Sequence, residues 1–467
     1  MHIALFVVYG ILCGYGILKL PLFRRSGIRP SVLLALFGLH VAAGCIHNVV
    51  AWRYYPAHGD TWGSFQSSLE WMHSGWRQFR LDNSRWTDIT HNGVTVIDLL
   101  LNLASLGNLY INTLLFAFPV FAGNTALYLV FRRHFCGSAL SAILVYILPS
   151  TLFWTACVFR EGVLYMLLGF LFFGIDRLLV TGSPASRRAR IRAVALVLCC
   201  FLLIVYFRFT VALFLVPALL AMKWIRKPSR RQVQITGILL LAGLLGVLAV
   251  PSLSSHILGG LASWQAEFQA LEGHSRLTLP TMDGSWPSLF RSAPYALLNG
   301  LFEPLPGSGG RPVYLAFAIE LILVWGIVIL ALVRSGLRMG RRAKSVSLAK
   351  RPSPASSASP GATASPVPPP SLFSFPSPGA TASPVPPPSS GLPAGPFGRD
   401  GFSAACIIFA LLGMIAIGAM VPFAGAIVRY RSIYLPFLLA PALCSLRRMP
   451  SLRRLNSWLE NRLYFLI

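Results

Sequence analysis

The stretch AVALVLCCFLLIVYFRFTVALFLVPALLAMKWI, residues 193–225, decides the class of fold. It is apolar almost throughout, and it is longer than the roughly 20 residues that one helix needs to cross a bilayer. Arg208 lies at its middle, where a charged side chain inside a membrane is costly. We therefore predict two short membrane helices that turn at Arg208, with the arginine at the membrane face.

The composition of the whole chain is typical of a protein that crosses a membrane many times. Of its 467 residues, 55% are hydrophobic and only 12% are charged, which is more apolar than a soluble domain requires. With the two helices of the opening stretch, the sequence predicts an all-α polytopic bundle of about eleven crossings. The other apolar runs of sufficient length are 2–21, 31–52, 109–131, 137–157, 162–180, 233–251, 312–334, 402–424 and 432–446.

The net charge of +26 indicates an orientation in the membrane rather than a nucleic-acid partner. The short basic loops fall on one side of the predicted bundle and, together with Arg399, hold 29 of the 40 Lys and Arg residues. Cytoplasmic loops carry such an excess, so we predict the N-terminus outside and the C-terminus inside. Basic residues on that side also contact anionic lipid, which makes membrane lipid a predicted partner. No nucleic acid is expected, and the oligomeric state is open.

Two predicted outer loops, at 53–93 and 252–312, interrupt the membrane helices of the body formed by residues 1–350. Each contains apolar residues spaced three and four apart, which is typical of an amphipathic helix on a membrane surface. These rows are Trp62, Phe65, Leu69, Met72, Trp76 and Phe79 in the first loop, and Ile257, Leu261, Trp264, Phe268 and Leu271 in the second. The later stretch 291–312 is apolar but broken by Pro and Gly, so we expect irregular backbone that lines a cavity.

The segment 351–399 differs in composition from the rest of the chain. It is dominated by Pro, Ser, Ala and Gly, and it repeats the 13-residue unit SPGATASPVPPPS at 359–371 and 377–389. Such a composition cannot bury a core, so we expect a disordered cytoplasmic linker. Residues 400–467 then supply the last pair of crossings and a basic amphipathic helix on the inner surface.

The charged residues that are predicted to lie outside form a distinct set. Ten of the fourteen acids lie there, and the eleven basic residues on that side are all arginine. A guanidinium binds phosphate through two hydrogen bonds and stays charged, so an outer cleft lined with arginine suits a phosphate-bearing ligand. The alternative is that these arginines pair with the outer acids or reach lipid headgroups.

Four of these arginines fall where a polytopic protein would build such a site. PSTLFWTACVFREGVLY places Arg160 and Glu161 at a hairpin between two crossings, where a local Arg–Glu pair is the alternative interpretation. Arg208 has no acid near it in the sequence. The turn in GAIVRYRSIYLP opposes the usual charge preference of outer loops, and it carries Arg429, Tyr430 and Arg431.

One acid in the first outer loop is a candidate general base. In YYPAHGDTWGSF, residues 54–65, Asp60 or Thr61 is placed to cap the following helix. If Thr61 caps the helix, Asp60 is available to take a proton from an acceptor hydroxyl. His58 is a second candidate base, or else a solvated loop histidine.

The chain resembles the multi-spanning, polyprenyl-phosphate-dependent glycosyltransferases of the GT-C class, and related membrane proteins of bacterial polysaccharide clusters. The resemblance rests on HGD in the first outer loop, PSTLFW…RE before the fifth crossing, the Arg208 hairpin, LLNGLFEPLP and the VRYR turn. It implies a multi-pass enzyme of the bacterial inner membrane with its active face outward. The implied substrate is a polyprenyl-phosphate-linked sugar or glycan.

The resemblance also implies roles for individual residues. Asp60 would be the catalytic base, with Glu161 as a further catalytic residue. The lipid phosphate and the substrate would be bound by members of the set His58, Arg160, Arg208, Arg429, Tyr430 and Arg431. In the GT-C class the acidic loop directly follows the first helix, whereas here it follows the second. Three other acids are therefore alternatives to Asp60, namely Glu70, Asp82 and Asp88.

Two further functions fit the same pattern. One is a polysaccharide polymerase or ligase that joins lipid-linked glycans on the outer face. The other is a lipid-glycan transporter or flippase, although transporters place their charged site near the bilayer midplane, where only Glu320 is predicted. Glu320 is then either a coupling acid or a paired intramembrane residue. No cofactor is indicated with certainty, and a divalent cation at Asp82 and Asp88 stays open.

Overall fold

The computed structural model describes residues 1–54, 59–83, 92–135, 139–180, 186–224, 251–271, 275–307, 312–349, 399–446 and 449–463. Their regular structure is helical, with no β-strand in these ranges, so the predicted all-α class is confirmed. The helices are α1 (His2–Lys19), α2 (Pro21–Arg25), α3 (Pro30–Tyr54), α4 (Gly59–Ser74), α5 (Trp76–Asp82), α6 (Gly93–Ser105), α7 (Leu109–His134), α8 (Leu140–Tyr146), α9 (Pro149–Thr155), α10 (Arg160–Val180), α11 (Arg187–Trp224), α12 (Pro251–Ala270), α13 (Trp286–Phe302), α14 (Pro312–Ala349), α15 (Arg399–Met420), α16 (Ala424–Arg431), α17 (Leu435–Leu446) and α18 (Pro450–Leu463).

The chain forms two compact units. The first contains Met1–Leu332 and Gly395–Ile467, and every residue of the candidate site belongs to it. The second is Val333–Ala394, whose described part is the C-terminal portion of α14. The predicted linker, except Arg399, lies outside the described residues, as does almost all of the predicted crossing at 233–251.

The membrane character of the chain is confirmed in its coarse form. Among the described residues, six helices are long and apolar enough to cross a membrane. The number rises to eight if each of two bent pairs is one span: α9 with α10, bent by 109°, and α16 with α17, bent by 61°. The count of about eleven and the orientation stay predictions.

The predicted turn at Arg208 takes the form of a kink inside one helix, so two separate crossings stay a prediction. Arg208 is the one residue of α11 with non-helical backbone, at φ −161° and ψ 91°. This extended residue marks a kink between two helical halves. The side chain of Arg208 therefore extends from the junction between two helical halves.

The apolar run 137–157, predicted as a crossing, does not form one continuous helix. Two seven-residue helices, α8 and α9, replace it, because Pro149 disfavours helical backbone at the preceding Leu148. The first turn of α9 is capped by Glu320 of α14. Ser150 N donates to both carboxylate oxygens of Glu320 at 3.1 Å, and Ser150 Oγ donates to Glu320 Oε1 at 3.1 Å. Glu320 is therefore hydrogen-bonded to Ser150 inside the helical body, and both interpretations of this acid stay predictions.

The prediction of irregular backbone over 291–312 is wrong for residues 291–302, which are helical. This stretch forms most of α13, whose first turn is capped by the Ser285 hydroxyl. The helix continues through Pro294 because it packs closely against α15. A Cβ at Gly418 would lie 2.1 Å from the carbonyl oxygen of Ala296. Small residues permit such a close approach of two backbones.

Helix α10 carries an acidic residue of a charged cluster near each of its two ends. It packs so closely on α7 that a Cβ at Gly169 would lie 2.1 Å from the carbonyl oxygen of Gly123. Near its C-terminal end, Asp176 pairs with Arg133, and with His134 at 3.0 Å. Glu161 lies at its N-terminal end, about 22 Å away at 1.5 Å per residue. The apolar length of α10 therefore separates two charged clusters.

Candidate functional site

Glu161 is the centre of a charged cluster at the N-terminus of α10. Its carboxylate is fully buried, and Oε1 lies 3.4 Å from Nη1 of Arg208 and 3.4 Å from Nε of Arg429. These residues come from α10, the break in α11, and α16. Arg208, which has no acid near it in the sequence, thus finds one in the fold. Two arginine side chains are held together by one buried carboxylate.

Asp60 joins the same cluster from the other side of Arg429. Because α4 begins at Gly59, Asp60 and Thr61 lie inside its first turn rather than before it. Asp60 Oδ2 lies 2.5 Å from Arg429 Nη1, although 369 residues separate them in the chain. The Asp60 side chain is 66% exposed and that of Arg429 only 18%. Asp60 therefore forms the solvent-facing edge of the cluster.

Aromatic rings fix the orientation of the arginines. The Arg429 guanidinium lies 4.9 Å from the ring centres of both Phe159 and Tyr430, and its Nη2 donates to Tyr430 Oη at 3.3 Å. The guanidinium of Arg208 lies 3.9 Å from the Tyr430 ring centre. Cation–π contacts of this kind stabilise a cation where solvent is scarce. Phe159, which the sequence analysis did not single out, is in turn packed on His47 with 5.1 Å between ring centres.

Arg160 adds a third guanidinium to this region. It is half-buried and interacts electrostatically with Arg208, Glu161, Tyr430 and Arg429. Three guanidinium groups and the two carboxylates of Asp60 and Glu161 leave one positive charge in excess. Arginine in this arrangement has the chemistry to bind an anion that carries several oxygen atoms.

One predicted site residue among those described, Arg431, is not part of the cluster. Arg431 is buried, and its Nη1 donates to the carbonyl oxygens of Gly300 at 3.3 Å and Glu303 at 2.5 Å, at the end of α13. Residues two apart on a helix point to different faces, so Arg429 and Arg431 cannot both reach Glu161. His58 lies outside the described residues.

A cavity of about 240 Å³ adjoins the cluster. Arg208 and Tyr430 belong to both, so they form the boundary between the charged region and the cavity. The remaining walls are mostly apolar and include Phe209, Phe214, Trp264, Ile417 and Met420. A ligand that combined an anionic group with an apolar chain would match this change in lining.

Asp98 is a buried acid outside this cluster, and its side chain is fully enclosed by the protein. Asn112 Nδ2 approaches Asp98 Oδ1 at 3.4 Å and Asn102 Oδ1 at 2.7 Å. Burial raises the pKa of Asp98 to about 8. The signal in the sequence was the spacing of Asp98 and Asn102, which places both on one face of the apolar helix α6.

The same polar network holds α4, the helix that carries Asp60. Asn102 Nδ2 donates to Ser68 Oγ at 2.7 Å, and Trp62 Nε1 donates to the carbonyl oxygen of Asn48 at 3.0 Å. The buried face of α4 consists of Thr61, Phe65, Ser68 and Trp71. Of the apolar residues that the sequence predicted for one face of this helix, only Phe65 belongs to the buried face of α4. Polar contacts therefore contribute to the position of α4 and, through it, of Asp60.

Within the described ranges, no group of three or more His, Cys, Asp or Glu side chains is arranged to hold a metal ion. Asp82 accepts hydrogen bonds from Trp71 Nε1 at 2.7 Å and Gln78 Nε2 at 2.9 Å, and Asp88 lies outside the described residues. Comparison of the chain with protein-family models, with curated proteins and with solved structures finds no match.

Proposed function

We propose that this protein is a membrane glycosyltransferase of the GT-C type, which transfers a sugar from a polyprenyl-phosphate-linked donor to an acceptor. The observation that supports this most is the meeting of Asp60, Glu161, Arg208 and Arg429 in one cluster. They come from four distant parts of the chain and combine an exposed carboxylate with a group of arginines. A transferase of this kind needs both.

The arginines are suited to the donor phosphate. Arg208 and Arg429 are fixed by Tyr430 and Glu161, so they lose little conformational freedom when they bind an anion. Arg208 also lines the apolar cavity, which suits the polyprenyl chain. In this proposal Arg208 and Arg429, which both contact Tyr430, bind the phosphate together, and the lipid chain extends into the cavity.

Asp60 is placed to act as the general base. Its exposure lets an acceptor approach from solvent. The acceptor hydroxyl gives its proton to Asp60, and its oxygen forms a bond to the anomeric carbon of the sugar. The bond between that carbon and the phosphate oxygen breaks, and the electron pair stays on the phosphate. The arginines stabilise the charge that grows on this leaving group.

Glu161 takes a different part from the one first expected. A fully buried carboxylate does not reach an acceptor, but it does neutralise and align Arg208 and Arg429. We therefore treat Glu161 as a positioning residue. Arg431, which donates to the carbonyl oxygens at the end of α13, is treated as structural.

The proposed location is the bacterial cytoplasmic membrane, with the cluster on its outer face. In this arrangement of about eleven crossings the N-terminus is outside, and the C-terminus and the linker are in the cytoplasm. The positive-inside rule supports this orientation. The separation of the Glu161 and Asp176 clusters along α10 is consistent with two membrane faces.

The test is product formation by the purified protein in liposomes, supplied with polyprenyl-phosphate-linked hexoses and a glycan acceptor. Wild type is expected to add one sugar, and Asp60→Asn to be folded but slower by about 100-fold or more, because a general base contributes at least that much. Glu70→Gln changes the exposed acid on the same helix that is an alternative base. It is expected to retain activity, and a loss of activity in Glu70→Gln in place of Asp60→Asn would assign the base to Glu70. A ladder of repeats would assign a polymerase, and movement of substrate without a new glycosidic bond would assign a transporter.

A further inference from the structure

We infer that Asp60 occupies the phosphate position on Arg429 in the unliganded protein, and that the donor phosphate displaces it. This inference rests on the proposed function and adds an order of events to it. Asp60 is held by Arg429 until the donor binds, and only then becomes available to an acceptor hydroxyl. The same carboxylate is thus a competitor of the donor and the base of the reaction.

Each nitrogen atom of the Arg429 guanidinium has a different partner, and only one of these partners is exposed to solvent. Nε lies 3.4 Å from Glu161, and Nη2 donates to Tyr430 Oη at 3.3 Å. Both of these partners are buried. Nη1 contacts Asp60, which is mostly exposed. A ligand that approaches from solvent therefore reaches Arg429 through the position that Asp60 holds.

The chemistry of the two groups makes the exchange possible. A carboxylate and a phosphate both present oxygen atoms at a spacing that fits a guanidinium, so they compete for the same hydrogen-bond donors. A phosphate and a carboxylate on one guanidinium also repel each other. Because Glu161 is enclosed and Asp60 is not, the repulsion is relieved by movement of Asp60.

The exchange has a consequence that a simple phosphate site would lack. Removing the Asp60 charge deletes a competitor of the donor and the base of the reaction at the same time. Donor affinity is then expected to rise while turnover is lost. A carboxylate that acted only as a base would lower turnover without raising donor affinity.

The experiment measures binding by isothermal titration calorimetry of the full chain in detergent micelles. The probe is farnesyl phosphate, with farnesol and inorganic phosphate in parallel to separate the apolar chain from the anionic group. Asp60→Asn is expected to bind farnesyl phosphate about two- to fivefold more tightly, the range expected for loss of a partly exposed ion pair. Asp60→Glu keeps the charge and is expected to bind as wild type does. Glu70→Gln controls for the loss of one negative charge elsewhere on α4.

The outcomes separate this inference from the proposed function. If wild type binds farnesyl phosphate and Asp60→Asn binds it equally or more weakly, the exchange is refuted while the phosphate site stands. The same holds if Glu70→Gln raises the affinity as much as Asp60→Asn does, since the effect would then be general electrostatics. If neither wild type nor Asp60→Asn prefers farnesyl phosphate over farnesol, the phosphate site and the exchange both fail. Tighter binding by Asp60→Asn alone, together with lost sugar transfer, supports the exchange.

Discussion

Replacing Glu161 with Gln removes the buried carboxylate that Arg208 and Arg429 share. At 3.4 Å and an effective dielectric constant of about 20, each pair has a Coulomb attraction of about 5 kcal/mol before desolvation is subtracted. Removing one partner of a buried pair costs about 3–5 kcal/mol, because the remaining charge is left without compensation. We expect Glu161→Gln to lower the free energy of unfolding by about 3–5 kcal/mol. The loss is not larger, although two arginines lose a partner, because Asp60 still compensates part of the charge of Arg429.

The assay is unfolding in detergent micelles titrated with denaturant and followed by tryptophan fluorescence. Glu70→Gln, an exposed change of the same type, is expected to stay within about 0.5 kcal/mol of wild type. In the double variant Glu161→Gln/Arg208→Gln, one uncompensated arginine is gone. The decrease in the free energy of unfolding of the double variant should therefore be smaller than the sum of the decreases in the two single variants, by about 1 kcal/mol or more. Glu161→Gln with wild-type stability would refute the assignment of Glu161 as the charge that organises the cluster.

Two further predictions use the same unfolding assay. Gly418→Ala is expected to lower the free energy of unfolding by about 1–3 kcal/mol, because its Cβ would lie 2.1 Å from the Ala296 carbonyl oxygen. Gly326→Ala, where the Cβ meets open space, should be neutral or slightly stabilising. Equal effects of the two changes would contradict the close packing of α13 on α15. Asp98 is buried with its pKa raised to about 8, so the folded protein keeps a proton that the unfolded chain loses above about pH 4. The free energy of unfolding should then fall by up to about 1.4 kcal/mol per pH unit from about pH 4 to pH 8 and level off above it. Asp98→Asn should remove this slope and Glu70→Gln should keep it, and a slope unchanged in Asp98→Asn would assign it to other groups.

Features that depend on one short segment could be predicted from the sequence. The break at Arg208 follows from the length of the apolar run around it and the cost of a charge inside a bilayer. The helix at 251–270 follows from its apolar spacing. Helix α13 was missed because Pro294 usually ends a helix, and its continuation depends on contact with α15. The break within 137–157 was missed because length and hydropathy alone do not show the turn before Pro149.

The sequence by itself determined that this chain is a helical membrane protein, and it identified Asp60, Arg208 and Arg429 as unusual charges. It did so because hydrophobicity and the cost of a charge are properties of local segments. Only the tertiary structure decided which charges meet. Glu161 pairs with Arg208 and Arg429, Asp60 reaches Arg429 across 369 residues, and Arg431 points elsewhere. These pairings depend on how α4, α10, α11 and α16 pack against one another. That packing is set by contacts between distant segments, which no single stretch of sequence contains.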